Sequence, residues 1–266
     1  MRYDLYNIDN MSSTIDTDYP SFDLIYADMI YENLDLSWID KYWSSLKENG
    51  IFIVQTDFHS NWLVRYALEL FEDSLFINHL VWKNEWGNHP KNKFHQCYDD
   101  IIVFSKGKNY KFYPERIQVD KVTKNKGLNP SGRDTKQATA WIDDICLTTT
   151  SKERIKKSDG HLIKWQKPIR LFDRIISPFT DKNDDILDLF MGSGSLGEWC
   201  IKNNRNYVGL ESNKESFDLA ENRLKNIPVS LGVGLDGFVS ATEDEWLSIV
   251  KLHSNTICGS IDFKAQ

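Results

Sequence analysis

The stretch DDILDLFMGSGSLGEWC at residues 184–200 joins a short apolar run, a glycine-rich turn and a second apolar segment. The first run predicts a strand, and the segment after the turn predicts a helix. Glycines at a strand end let a ligand approach the backbone closely, and the helix that follows offers free N–H groups. Glu211 closes the next predicted strand, 19 residues past Gly192, where an acid can accept hydrogen bonds from both ribose hydroxyls. The pattern predicts a pocket for a nucleoside-containing cofactor.

The glycine spacing leaves two classes of cofactor open. Gly192, Gly194 and Gly197 follow the GxGxxG pattern of dinucleotide sites, so a nicotinamide-dependent enzyme is one alternative. Other features favour a different nucleoside. The motif lies late in the chain, with fewer than 60 residues after Glu211, and Asp188 precedes the first glycine by four residues. A carboxylate in that position can meet the cationic group of an amino acid.

Strand and helix signals alternate on both sides of this stretch. Asn49-Gly50 is typical of a helix stop before the second strand. The alternation predicts an α/β fold with a doubly wound, mostly parallel sheet. We predict strands at residues 22–27, 50–55, 75–82, 100–104 and 206–213, weaker strands at 111–113 and 117–119, and helices at 36–47, 62–71, 167–179, 214–225 and 243–252.

The first predicted strand, Phe22–Ala27, runs directly into Asp28-Met29-Ile30-Tyr31. Open α/β sheets bind their ligands at the carboxyl ends of the strands, so an acid and an aromatic residue here indicate a second functional element. The simpler interpretation is an ordinary strand end, in which the Asp turns the chain and the Tyr packs.

Charge is distributed unevenly along the chain. The net charge is −7, yet residues 83–174 hold 20 Lys+Arg against 11 Asp+Glu, while the remainder holds 12 against 28. A basic middle within an acidic chain is typical of a surface that faces phosphates, although solvated lysine-rich loops would give the same pattern.

The cysteines and the apolar runs indicate the compartment. Cys97, Cys146, Cys200 and Cys258 are far apart and form no CxxC pair, which favours reduced thiols and gives no indication of a metal site. No apolar run approaches the length of a membrane span, and residues 1–20 lack the features of a signal peptide. We therefore expect a cytoplasmic protein.

Several segments together resemble the amino-methylating DNA methyltransferases, which use S-adenosylmethionine. In chain order they are LYNIDNMS, FDLIYADMIYE, VWKNEWGNHPKNKF, YDDIIVFSKGKNYKF, QKPIRLFDRII and ILDLFMGSGSLGEWCIKNNRNYVGLESN. The order of catalytic motif, target-recognition region and cofactor motif is similar to the β class of the family. The resemblance covers about residues 3–225 and implies a Rossmann-like, seven-stranded-type sheet with an inserted recognition region.

The resemblance also implies roles for individual residues. The family's catalytic tetrapeptide begins with Asp, Asn or Ser, continues with Pro-Pro and ends in an aromatic residue. Asp28 would therefore accept a hydrogen bond from the target amine, and Tyr31 would stack on an extruded base. Met29 and Ile30 replace the prolines that stiffen this loop, which predicts less preorganisation and slower chemistry. The residues that match the cofactor motifs are Asp188, Phe190, Gly192, Ser193, Gly194, Glu211, Lys167 and Pro168.

Two further positions depart from the family pattern. Gln166-Lys167-Pro168 matches an element that would contact the methionine end of the cofactor, but Trp165 replaces the usual threonine. Tyr98-Asp99 stands where the family often has His-Glu.

These expectations lead to a site-specific DNA methyltransferase acting on N6 of adenine, because the family's cytosine enzymes more often begin the tetrapeptide with Ser. Transfer to N4 of cytosine is the alternative enzyme activity, and a DNA-binding pseudo-methyltransferase is the alternative of another class. The expected host is a bacterium or a phage-infected bacterium.

The expected partner is double-stranded DNA, a homodimer is left open, and neither a metal nor a membrane is expected to bind. The chain would divide into a catalytic half (1–104), a target-recognition insertion (105–160), a cofactor-binding half (161–226) and an extension without an assigned role (227–266). The basic residues predicted to contact DNA phosphates are Lys91, Lys93, Lys121, Lys124, Lys126 and Arg133.

Overall fold

The computed structural model describes residues 2–11, 21–29, 35–84, 89–124, 132–146, 151–157, 159–163 and 165–227. The strands are β1 (Tyr3–Tyr6), β2 (Phe22–Asp28), β3 (Leu46–Thr56), β4 (Ser74–Lys83), β5 (Tyr98–Lys106), β6 (Gln118–Asp120), β7 (Thr135–Gln137), β8 (Trp141–Ile142), β9 (Asp185–Asp188) and β10 (Asn206–Leu210). The helices are α1 (Ser37–Ser44), α2 (Asn61–Glu69), α3 (Ile169–Ile175), α4 (Ser195–Lys202) and α5 (Lys214–Lys225). One compact unit ends at Lys225 and holds all of these elements.

An eight-stranded sheet runs through this unit in the order β1-β10-β9-β2-β3-β5-β4-β8. The first five strands in that order are parallel, whereas β5 is antiparallel to both β3 and β4, and β8 pairs in parallel with β4. The two-residue β8 comes from the predicted insertion, and the other seven strands form the mostly parallel sheet that the sequence predicts. A separate ribbon pairs β6 with β7.

The order of the sheet reverses between β2 and β9. The chain continues from β2 to β3 on one side and from β9 to β10 on the other, which makes this junction a topological switch point. Tyr26 of β2 lies opposite Asp188 of β9 in the register of the pair. Open α/β sheets bind ligands in the crevice outside the carboxyl ends of such strands. The fold therefore brings the Asp28 motif and the glycine motif to one place.

The central strands are buried on both faces, as parallel strands covered by helices usually are. Trp38 of α1 stacks on Phe52 of β3, with ring centroids 6.2 Å apart. Leu187 and Val208 extend the same apolar cluster to β9 and β10. Gly197 lets α4 lie close to the sheet, because an added Cβ would stand 2.8 Å from a ring carbon of Tyr207. This packing fixes the strand ends that carry the site.

The boundary between α1 and β3 differs from the prediction. The helix predicted to reach residue 47 ends at Ser44, and β3 begins at Leu46. Asn49-Gly50 is therefore wrong as a helix stop and lies inside β3, where Asn49 has a positive φ of 61°. The Asn49 side-chain oxygen accepts a hydrogen bond from the Asn109 backbone N–H at 2.9 Å, and the β2–β3 register shifts nearby. The turn-forming pair thus makes a bulge.

Other differences concern short elements. The sequence does not predict β1, which has four residues of mixed polarity. Residues 111–113 form no strand, whereas the weak signal at 117–119 overlaps β6. The helix predicted at 243–252 lies outside the described residues. Each helix in the described ranges is too short or too polar to cross a membrane.

Candidate active site

A cavity of about 820 Å³ lies at the switch point, where β2 and β9 end. Its walls include the loop after β1, Asp28 on β2, the glycine turn after β9 and Glu211 after β10. Lys167, two residues before α3, adds a cation to the lining. The volume falls in the range of small-molecule sites in proteins.

The glycine turn holds Glu211 in one orientation. Gly192 and Gly194 have positive φ values of 55° and 75°, which glycine adopts without steric cost. The Gly192 N–H donates to Glu211 Oε2 at 2.8 Å, and the Asn213 N–H donates to Oε1 at the same distance. Each carboxylate oxygen keeps a lone pair for a ligand hydroxyl. Glu211 is therefore a preorganised acceptor in the cavity wall.

Asp188 is a buried carboxyl at the end of β9. The Tyr207 hydroxyl donates to its Oδ2 at 3.0 Å. Burial raises the pKa of Asp188 to about 7, although the Tyr207 hydrogen bond acts in the opposite direction. A cation in the cavity would stabilise the charged carboxylate. This arrangement suits a positively charged ligand group.

Asp28 forms an ion pair with Lys167. Lys167 Nζ lies 2.8 Å from Asp28 Oδ2 and 3.6 Å from Asp99 Oδ2. Burial lowers the pKa of Lys167, but the charges of Asp28 and Asp99 outweigh it, so the pKa is raised overall and the ammonium stays charged. Among the described residues, none forms a hydrogen bond with Asp28 Oδ1, and the carboxylate lines the cavity.

Asp99 belongs to a buried chain of hydrogen bonds that crosses three strands. The Tyr26 hydroxyl donates to Gln55 Oε1 at 2.7 Å. Gln55 Nε2 donates to Asp99 Oδ2, and Asn84 Nδ2 donates to Asp99 Oδ1, both at 2.7 Å. The chain links β2, β3 and β5 and ends at the carboxylate beside Lys167.

Met29 has a backbone partner that a proline could not have. Its N–H donates to the Gln55 carbonyl oxygen at 3.1 Å, which extends the β2–β3 pairing by one residue past Asp28. The Met29 side chain is also buried. Since proline lacks an N–H, this bond fixes the Met29 backbone at the position where the family has its first proline.

Most residues predicted for the site line this one cavity. Gly194 and Pro168 are not among the lining residues. Gly194 precedes α4 and packs on Ala220, whose Cβ would stand 3.1 Å from an added Cβ, and Pro168 precedes the first residue of α3. Ile30 and Tyr31 lie outside the described residues. The predicted residues that line the cavity are Asp28, Met29, Lys167, Asp188, Phe190, Gly192, Ser193 and Glu211.

The loop after β1 is a part of the site that the sequence patterns do not predict. It brings Asp9, Asn10 and Met11 to the cavity. Asn10 is 6% exposed, and its Nδ2 has no hydrogen-bond partner among the described residues. A buried amide without a partner costs about 1–3 kcal/mol, so a ligand acceptor would stabilise it. The segment LYNIDNMS, which contains Asn10, is the available sequence signal, because it lies among the segments that resemble the family.

The basic residues predicted to contact DNA lie in two regions. Lys91 and Lys93 are exposed in the loop before β5, next to Phe94, which is 96% exposed. This loop leads directly to Asp99 in the site. The loop therefore joins two cations and an aromatic side chain to the active-site edge of the sheet.

The second group lies around the β6–β7 ribbon. Lys121 and Lys124 follow β6, and Lys124 Nζ pairs with Asp120 at 2.9 Å. Arg133 is exposed shortly before β7, and Lys126 lies outside the described residues. The Asp120 pair means that Lys124 would have to exchange one anion for another in order to bind a phosphate.

Two sequence comparisons identify relatives. Residues 10–222 match the N6/N4 methyltransferase family described as DNA methylase. The type II methyltransferase M.HinfI of Haemophilus influenzae is 26% identical over 200 residues, which cover 74% of this chain and 52% of that protein. M1.MboII of Moraxella bovis is 27% identical over 213 residues, covering 73% and 79%. The alignment thus spans about half of the first relative's length.

Solved structures share the fold. The M1.HpyAVI–SAM complex has a TM-score of 0.61 and 23% identity, covering 84% of this chain and 100% of that chain. PvuII DNA methyltransferase, which is cytosine-N4-specific, has a TM-score of 0.61 and 16% identity, covering 96% and 92%.

The family match begins in the loop after β1 and ends inside α5, so it takes in the strand ends that surround the cavity. The nicotinamide alternative left open by the glycine spacing is thereby set aside. This chain belongs to the S-adenosylmethionine-dependent DNA methylases, the family whose members methylate an exocyclic amine, N6 of adenine or N4 of cytosine.

Proposed function

We propose that this protein methylates the 6-amino group of adenine in double-stranded DNA, with the 4-amino group of cytosine as the alternative. The observation that carries the proposal is that Asp28 lines the same cavity as Asp188 and Glu211. A target amine held by Asp28 would then meet a methyl donor held by the other two carboxylates. Asp at the first position of the tetrapeptide supports adenine.

The polar groups of the cavity fit S-adenosylmethionine. Glu211 offers a fixed carboxylate to the ribose hydroxyls, and Asp188 offers a buried one to the cationic amino-acid part. The Asn10 amide, which has no partner within the described ranges, suits an acceptor on the purine ring. When bound, S-adenosylmethionine supplies a methyl group and keeps the electron pair of the broken carbon–sulfur bond.

Asp28 acts on the amine. Lys167 holds its Oδ2, so Oδ1 can accept a hydrogen bond from the target N–H. This bond favours a nitrogen lone pair that points out of the ring, which is the form that attacks the methyl carbon. The nitrogen gains the methyl group and releases one proton. We assign Asp28 Oδ1 as the acceptor of that proton.

The base has to leave the duplex before its amine can reach Asp28. We assign to Tyr31 the stacking contact with the extruded base. We also assign recognition of the surrounding sequence to the insertion at residues 105–160, between the catalytic and cofactor-binding halves. The insertion contains the β6–β7 ribbon and its basic residues.

A DNA-binding pseudo-methyltransferase is the second candidate, because Met29-Ile30 replaces the proline pair of the family. Two observations support a working site instead. The Met29 N–H is anchored on Gln55, and Asp28 keeps a charged partner in Lys167. A decayed site would have no need of either contact.

The chemical identity of the product tests the proposal. The protein is incubated with S-adenosylmethionine and unmethylated genomic DNA, and the digested nucleosides are separated by mass spectrometry. We expect N6-methyladenine. N4-methylcytosine would establish the alternative target, and methylation of neither base by a protein that binds the cofactor would establish the pseudoenzyme.

Replacing Glu211 by alanine is expected to weaken S-adenosylmethionine binding at least about tenfold, or about 1.4 kcal/mol. The reason is that the substitution removes a preorganised acceptor for two hydroxyls. Calorimetric titration measures the affinity. Glu215→Ala on α5 is the matched control, since Glu215 is paired with Lys157 and does not line the cavity. Unchanged affinity of the Glu211 variant would remove this residue from the site.

Neutralising lysines after β6 is expected to weaken DNA binding. A lysine that binds a phosphate should lower the salt slope of binding by about one unit when it is replaced by alanine. The double variant Lys121→Ala/Lys124→Ala is compared with a control double variant, Lys202→Ala/Lys214→Ala, whose lysines lie on α4 and α5. Fluorescence anisotropy at several salt concentrations measures DNA binding. If both double variants bind with the parent's affinity and slope, the basic middle of the chain is a solvated surface.

A further inference from the structure

Lys167 contacts carboxylates of the active site. The family resemblance implies a cofactor contact for this residue, yet its ammonium faces Asp28 and Asp99. We propose that Lys167 is a positioning residue for Asp28, which fixes the orientation of the carboxylate and keeps it charged as the acceptor of the target amine. This inference rests on the proposed function, because the charge of Asp28 matters for transfer only if the target is an amine.

The geometry makes Asp28 the principal partner of Lys167. The 2.8 Å separation from Asp28 Oδ2 is that of a charge-assisted hydrogen bond, whereas 3.6 Å from Asp99 Oδ2 is an ion-pair contact. A bond to one carboxylate oxygen restricts rotation of the group about its last side-chain bond. Oδ1 of Asp28 is thereby held in one orientation. Among the described residues, none forms a hydrogen bond with it.

Lys167 is itself held in place. Asp99 accepts hydrogen bonds from Gln55 and Asn84, one on each oxygen, so it cannot rotate freely. The Trp82 ring also lies close, with its centroid 6.0 Å from Lys167 Nζ. A lysine normally has much rotamer freedom, and burial between fixed groups removes it. The ammonium is therefore a fixed reference point for Asp28.

The charge of Lys167 also favours the ionised form of Asp28. The pKa of Asp28 is raised overall, because burial raises it, the charge of Lys167 offsets only part of this rise, and the charge of Asp99 adds to it. Without the ammonium, Asp28 would face another carboxylate, and no other cation in the described ranges is paired with either of them. A protonated Asp28 would present a hydroxyl group and lose the charge that draws the amine proton.

The test compares Lys167→Met with Lys167→Arg, which keeps the charge, and with Lys202→Met, an exposed lysine on α4. Single-turnover methylation of unmethylated genomic DNA is measured across pH with S-adenosylmethionine kept saturating at every pH, so that protonation of Asp188 does not limit the rate. Cofactor affinity is measured by calorimetry. For Lys167→Met we expect a rate at least about 100-fold lower near neutral pH. The acidic limb of the pH–rate profile should move to higher pH by about one to three units. Cofactor affinity should stay within about twofold of the parent.

The arginine variant should keep the acidic limb of the parent, and Lys202→Met should match the parent in all three readouts. An unchanged acidic limb in Lys167→Met would overturn the proposal, and so would a large drop in cofactor affinity without a shift of that limb. If Lys167→Met does not give a cooperative thermal transition, Lys167→Gln replaces it with the same expectations.

A measurement without turnover separates this proposal from the proposed function. The Asp28 carboxyl is followed by carbon NMR in protein with labelled aspartate, and its signal is assigned by its absence in Asp28→Asn. Its pKa should rise in Lys167→Met. If the parent methylates no DNA, the proposed function fails, but this titration still shows whether Lys167 controls the ionisation of Asp28. An Asp28 pKa that is unchanged in Lys167→Met would refute the role of Lys167.

Discussion

Replacing Asp28 by alanine is expected to reduce methyl transfer at least about 1,000-fold, the upper part of the range for removal of a proton acceptor. The carboxylate ends β2 at the cavity and is the group to which we assign the target amine. Its contribution is made in the transition state, so cofactor affinity should stay within about twofold of the parent. Single-turnover rates and calorimetric titration measure the two quantities separately.

Asp28→Asn is the matched control. The amide has nearly the same size and keeps one acceptor oxygen, but it cannot carry the charge that pairs with Lys167. We therefore expect the asparagine variant to be slower than the parent and faster than the alanine variant. An alanine variant that methylates at the parent's rate would show that the tetrapeptide has another role.

Cofactor affinity is expected to fall about tenfold for each pH unit below about 7, because Asp188 has a pKa of about 7 in the free protein. The sign follows from the charges: a cationic ligand binds the ionised carboxylate, so at lower pH binding has to expel a proton. An α-amino group has a pKa of about 7.7–8.0, so the ligand's own cation is constant over this range. Calorimetry in buffers of different ionisation enthalpy measures both the affinity and the proton released.

Asp188→Asn should bind more weakly than the parent at neutral pH and should lose this pH dependence. The Tyr207 hydroxyl can still donate to the amide oxygen, so the local structure is kept. An affinity of the parent that is constant from mildly acidic to neutral pH would show that no cationic group meets Asp188.

The parts of the site that the sequence predicts are those at the ends of apolar runs. Asp28 and Glu211 each follow a recognisable strand, and the glycines mark the turn between strand and helix. A parallel sheet places the carboxyl ends of its strands at one edge. Residues at these ends are therefore expected to lie near one another once the strands are known. The eight-stranded sheet confirms this arrangement.

Other parts depend on contacts that no local pattern contains. The pairing of Lys167 with Asp28 joins residues that are far apart in sequence and is visible only when α3 packs beside β2. No local pattern predicts Asn10, because β1 has four residues with no clear alternation. The Met29 N–H bond to Gln55 likewise requires the β2–β3 register.

We propose that the cavity brings a target amine at Asp28 to a methyl donor held by Asp188 and Glu211. Transfer of tritium from labelled S-adenosylmethionine to unmethylated genomic DNA tests it most directly, with the parent and Asp28→Ala measured side by side. We expect label to enter DNA with the parent and to stay at background with the variant. Equal labelling by both proteins, or background labelling by a parent that binds the cofactor, would contradict it.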